Sequence, residues 1–227
     1  MGGFGVSGGI EQGSAVAVDF NSNVLMAAVM NTNRSVFGKF TLSSRGGVDS
    51  VLVKTNSSGA VLWAQQLGGS GDDFVYGTAV DQQGYSLIAG QALSAAVTFG
   101  GGATVGGSLT LVSQQDIFLA KISPNGAPSW AKAYGGVNAD DQANNVAVDP
   151  ITGSAIITGH FSSSPATFGG KAFVLSPVPP GRSNASSWDG FVMRVNSIGS
   201  TEWVIPIAGN DMDDVLGNFP LCAPCLL

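Results

Sequence analysis

Charge is scarce in this sequence. Asp, Glu, Lys and Arg make up 11% of the 227 residues, against roughly a quarter in an average soluble domain. Glutamate is nearly missing: Glu11 and Glu202 are two of fifteen acids, and the other thirteen are Asp. Glu is a good helix former whereas Asp favours turns and caps, so this imbalance argues against helices. Nine basic residues face the fifteen acids, for a net charge of -6 and a pI near 4.4, and they cluster nowhere. Nucleic acid and anionic membrane, both bound through basic surface, are thereby excluded as natural partners. No stretch reaches the roughly 18 consecutive apolar residues of a transmembrane helix, so the mean hydropathy of +0.27 comes from dispersed Ala, Val and Leu. The first basic residue is Arg34, and the sequence shows no signal peptide with its charged leading segment. Histidine occurs once, at His160, and cysteine twice, at Cys222 and Cys225. A zinc site needs four ligands, which one imidazole and two thiols do not supply, so the CxxC pair reads as a disulfide or as incidental thiols.

What the sequence has in abundance is glycine, 33 residues, beside 10 prolines and 44% hydrophobic residues, the mixture of turns and packed strands. Four landmarks recur in one order. Ala-Val-Asp ends at Asp19, Asp81 and Asp149, and Phe-Gly follows at nearly equal intervals, at Phe37, Phe99 and Phe168. A second Asp then opens an apolar run at Asp49, Asp116 and Asp189, and a Trp stands at one fixed distance beyond it each time, at Trp63, Trp130 and Trp203. The Trp-to-Trp distances of 67 and 73 define the repeat.

Within each repeat the apolar runs are short and continuous, as in strands covered on both faces. Asn56-Ser57-Ser58-Gly59, Ser123-Pro124-Asn125-Gly126 and Asn196-Ser197-Ile198-Gly199 separate each run from its Trp and mark hairpin turns. Further strands at 25–29, 87–89 and 155–158 follow each Ala-Val-Asp. The pattern predicts an all-β fold with about four antiparallel strands per unit, the way a propeller blade is built. Three units are expected, over about 1–69, 70–136 and 137–209, with 210–227 a divergent start of a fourth unit and a tail.

Two stretches carry a resemblance. Gly68-Gly69-Ser70-Gly71-Asp72-Asp73 through Ala79-Val80-Asp81, and Asp116-Ile117-Phe118-Leu119-Ala120-Lys121 through Trp130-Ala131-Lys132 and Gly135-Gly136, are similar to SBBP repeats, the β-propeller repeats of bacterial and algal surface proteins. The resemblance implies an all-β propeller at the cell surface or outside the cell, with no catalytic residues. On that footing the chain is a non-catalytic scaffold whose rim loops bind a protein or a glycan. An enzyme is the competing reading, either a hydrolytic propeller or a quinoprotein-like one with the same Gly-x-x-x-Trp spacing. A purely structural spacer is a third.

The candidate site residues follow from the repeat. Asp72-Asp73, Asp140-Asp141 and Asp213-Asp214 recur at a near-constant distance after each Trp, in Gly-containing loops. Each pair could contribute oxygens to Ca²⁺, which takes six to eight, or one Asp could cap a turn while the other faces solvent. His160 is the sole imidazole for a Ser-His-Asp arrangement, and its counterpart in the second unit is Gln91. The three Trp are expected to pack unit on unit rather than stack on sugars. The units differ most between Phe-Gly and the next Asp, a separation that lengthens from Phe37–Asp49 to Phe99–Asp116 and again to Phe168–Asp189. Insertions held to one place in a repeat collect on one face, often the binding face. The longest holds Ser176-Pro177-Val178-Pro179-Pro180-Gly181-Arg182, and Arg182 and Trp188 are the candidate ligand contacts there. Open edges at either end of the array would favour self-association.

Overall fold

The computed structural model describes residues 11–32, 34–100, 108–110, 115–137, 140–163, 165–173, 188–207 and 215–216. Every regular element in them is a β-strand, as the Asp-over-Glu usage leads one to expect. The first unit contains β1 (Glu11–Val18), β2 (Val24–Met30), β3 (Ser35–Phe37), β4 (Phe40–Leu42), β5 (Asp49–Thr55) and β6 (Val61–Gly68). The second contains β7 (Asp73–Val80), β8 (Ser86–Ala92), β9 (Ala96–Phe99), β10 (Ser108–Thr110), β11 (Asp116–Ile122) and β12 (Pro128–Tyr134). The third contains β13 (Gln142–Val148), β14 (Ala155–Phe161), β15 (Ala166–Phe168), β16 (Lys171–Phe173), β17 (Asp189–Val195) and β18 (Thr201–Ile207).

Four strands of each unit form an antiparallel meander: β1-β2-β5-β6, β7-β8-β11-β12 and β13-β14-β17-β18. The other two strands, which the sequence pattern does not foresee, make a small hairpin between the second and third meander strands. In the second unit this hairpin leaves its own sheet. β9 pairs with β6 of the first sheet, Leu67 opposite Phe99 and Gly68 opposite Thr98. The third unit does the same more briefly, through a bridge from Thr167 in β15 to Gly135 just past β12.

The two ends of the sheets differ in construction. At one end the turns are tight and fixed by local side chains. Asp19 Oδ1 accepts the backbone N–H groups of Asn21 and Asn23 at 2.9 and 2.8 Å, and Asp81 Oδ1 those of Gln83 and Tyr85 at 3.0 and 2.8 Å. This is the Asx-turn chemistry that makes Asp a turn residue. Gly59, Gly126 and Gly199 close the neighbouring turns with φ of 82, 92 and 87°, a left-handed conformation that a Cβ disfavours. All the long connections lie at the opposite end.

Between the sheets lie two apolar layers. Leu25, Leu52 and Leu67 of the first sheet pack with Ile88 and Phe118 of the second and with Phe99 of the transferred hairpin. Leu87, Leu119 and Ile117 meet Ile157, Phe191 and Phe168 on the third. The middle sheet is thus covered on both faces, and all seven residues of β8 and of β11 are buried. That explains the continuous apolar run at 116–120, where an alternating pattern would mark a sheet with one wet face.

An ion pair recurs beside each tight turn. Lys54 Nζ lies 3.1 Å from Asp19, Lys121 Nζ 2.9 Å from Asp81, and Arg194 Nη2 3.0 Å from Asp149. The acid is the last residue of Ala-Val-Asp, and the base follows at one fixed offset the Asp that opens the central strand.

Candidate functional site

Asp72-Asp73 and Asp140-Asp141 lie at the end opposite the tight turns, where the last strand of one sheet crosses to the first strand of the next. Within each pair the two carboxylates have different tasks. Asp73 is wholly buried; its Oδ2 accepts Gly69 N–H at 2.7 Å and the Ser94 hydroxyl at 2.6 Å, and its Oδ1 accepts Ser94 N–H at 3.3 Å. Asp141 is its counterpart, accepting Gly136 N–H, the Ser163 hydroxyl, and the N–H groups of Ser162 and Ser163 at 2.6 to 3.0 Å. Each staples the crossing loop to the segment after the second strand of its own sheet. Burial pushes the Asp73 carboxyl above its ordinary range, opposed by the Ser94 and Gly69 bonds. Asp72 accepts Val48 N–H at 2.7 Å, and Asp140 accepts the Gln91 side-chain amide.

These contacts bear on calcium. A calcium shell is built of oxygens; the donors that Asp73 and Asp141 accept here are N–H and O–H groups of the loops they join. Among the described residues no three His, Cys, Asp or Glu side chains come together to hold a metal ion. Asp213, Asp214 and Arg182 lie outside the described residues, as do Cys222 and Cys225. Trp188 is described and half-buried. Its ring stacks on His160, with centroids 4.3 Å apart and planes 10° from parallel. The structure therefore joins two residues that the sequence offered for separate roles.

The tryptophans of the repeat pack unit on unit. Trp63 Nε1 donates to the Pro124 carbonyl at 2.9 Å and Trp130 Nε1 to the Ser197 carbonyl at 3.0 Å. Each indole therefore clasps the tight turn of the following unit, lying against Gly126 or Gly199 where a Cβ would come within 3.1 Å of the ring.

Beside the first strands of the three units, β1, β7 and β13, is a polar cleft of about 340 Å³ lined by Ala15, Val16, Tyr76, Thr78, Asn144 and Asn145, with Leu216 at its side. A β-bulge falls at the same place in each first strand, at Ser14, Tyr76 and Asn144, and a bulge re-aims side chains at that point. Thr78 Oγ1 is buried without a hydrogen-bond partner among the described residues, and burial, then the charge of Asp140, raises the Tyr76 hydroxyl pKa. The sequence gives little sign of this cleft, since a bulge leaves no fixed residue signature. The ion pairs had one: a base at a constant offset after Asp49, Asp116 and Asp189.

The described residues thus define an all-β protein of antiparallel meanders stacked face to face, with one end fixed and the other variable. Residues 62–95 match the SBBP family model, a beta-propeller repeat, so the chain carries such a repeat. The match runs from β6 through β7 and β8 and straddles the first two sheets. No curated protein matches the sequence.

Proposed function

We propose that the three sheets are successive blades of a β-propeller and that the chain is a non-catalytic scaffold, at the cell surface or outside the cell, whose long-connection end binds a protein or a glycan. The observation that carries this reading is the division of labour between the two ends. At the tight-turn end, side chains are spent on Asx turns, ion pairs and indole clasps, each repeated from unit to unit. At the other end the connection from Phe-Gly to the next Asp lengthens with each unit, from Phe37–Asp49 to Phe99–Asp116 to Phe168–Asp189. A rigid scaffold with one variable end is the usual arrangement of loop-based recognition. The stacked His160 and Trp188 stand where the longest connection rejoins β17 and would offer an aromatic floor to a ligand there.

Replacing residues 176–186 by a short Gly-Ser link tests the assignment. The variant is expected to keep the β-sheet circular dichroism and melting temperature of the parent and to lose the ligands that the parent retains on a glycan array or a panel of purified surface proteins. Unfolding of the variant would show that the segment belongs to the blade.

A further inference from the structure

The repeated interface leaves one half of itself open at each end of the array. Each sheet gives an indole, a base and an apolar last strand to the unit after it, and receives the same from the unit before it. Trp63 and Trp130 are given in this way to the carbonyls of Pro124 and Ser197, and Lys54 also donates to Gly84 O at 3.1 Å. Among the described residues the third sheet has no unit to give to. Trp203 and Ile207 are 36 and 42% exposed, while Trp63 and Leu67 at the same positions are 6 and 0%. Among the described residues the first sheet likewise has no unit to receive from. Val18 and Met26 are 52 and 37% exposed, while Val80 and Ile88 at the same positions are 6 and 0%. Phe37 is half-buried where Phe99 and Phe168 are fully buried. Gly126 and Gly199 are buried under indoles, and Gly59 is not.

We propose that these two open faces are halves of one joint and that a second copy of this chain closes it, head to tail. The Trp203 indole of one copy donates to the Ser57 carbonyl of the other, Arg194 faces the turn at Ser22, and Phe37 comes beside Ile207. The assignment rests on reading the three sheets as successive blades, and it follows by repeat position. Ser57 stands where Pro124 and Ser197 accept indoles, and Ser22, with φ of 59°, stands where Gly84 and Gly153 turn at 82 and 67°. The contact is heterologous, so two copies make it twice around a two-fold axis. The six described sheets of two copies then close a ring, inside the range of about four to eight for propellers.

Sedimentation or light scattering at tens of micromolar is expected to give twice the chain mass of 22.9 kDa. Ile207→Arg spoils the giving face, where its counterparts Leu67 and Tyr134 are buried at the occupied joints, and Met26→Arg spoils the receiving face, both at exposed positions. Each alone is expected to weaken association by at least about tenfold while leaving the circular dichroism unchanged. An equimolar mixture of the two is expected to form a one-to-one heterodimer, because one intact face of each kind remains. Should either substitution impair folding, Trp203→Glu and Val18→Lys test the same faces. A wild-type chain of single mass, variants that dimerise as the parent does, or a mixture that stays monomeric would each overturn the joint. A monomer that still loses ligand when residues 176–186 are replaced overturns the joint alone; a dimer whose rim replacement changes no binding overturns the binding rim alone.

Discussion

Lys54 is 2% exposed, yet its ammonium is matched on two sides, by Asp19 at 3.1 Å and by the Gly84 carbonyl of the next unit at 3.1 Å. Asp19 in turn holds the backbone of its own turn through Asn21 and Asn23. Removing the cation strands a buried carboxylate, which is the expensive way to break such a pair. Lys54→Ala is expected to cost about 3–5 kcal/mol in urea denaturation. Arg194→Ala removes the equivalent charge of the third unit, where both partners are about a quarter exposed. Solvent screens that pair, and its loss is expected to move the urea midpoint only slightly. Equal losses at the two positions would show that burial is not what sets the contribution of the pair.

The strand carrying each Trp has one job and three different surroundings. Leu62, Ser129 and Glu202 are the extra residues of a bulge immediately before the indole. Trp63 is buried to 6% and Trp203 is 36% exposed. Trp63→Ala is expected to destabilise by about 3–5 kcal/mol. Trp203→Ala, assayed in dilute solution where the chain is single, is expected to cost less than about 1 kcal/mol. Thermal melts of the pair check this. The strands themselves were legible in the sequence, because Asp116–Ile122 and its partners are apolar runs bounded by turn residues, and the fixed Asp-to-Trp distance spans one hairpin. The β9 and β15 hairpins were not, since three or four residues carry no periodicity and their partner is in another sheet. At the candidate site, the variable connections were visible as unequal spacings. The structural use of Asp73 and Asp141 was hidden, because their donors are backbone groups and serines distant in sequence.

At the scale of the whole molecule the carboxylates pull stability in opposite directions as pH changes. Burial raises the Asp49 carboxyl from its ordinary 3.8, against bonds from Arg45 and Gln66, and raises that of Asp73 similarly. A raised acid binds its proton more tightly in the folded state, so stability falls as pH rises from 3.8 through the folded value. Asp19 goes the other way: burial pushes it up, but the bonds from Asn23, Lys54 and Asn21 outweigh this and hold it low. The Thr152 hydroxyl and Ile151 N–H lower Asp149. For these two, stability is full above 3.8 and is lost as pH falls below it. The melting temperature is therefore expected to peak in acid, near the ordinary carboxylate value of 3.8, and to decline on both sides. Asp49→Asn is expected to flatten the decline toward neutrality, which melts across about pH 3 to 7 will read.

The transfer of β9 onto β6 has a consequence for how such an array tolerates change. Apolar layers alone leave neighbouring sheets free to settle at a new angle whenever a core side chain changes size. The strap between Leu67 and Phe99 is made of backbone hydrogen bonds, which are the same whatever the side chains. It ties the outer edge of one sheet to the next unit while the indole clasp ties the tight-turn end, and two fixed points set the angle between sheets. Core residues can then drift in identity without altering the angle between neighbouring sheets, which is held by the main chain.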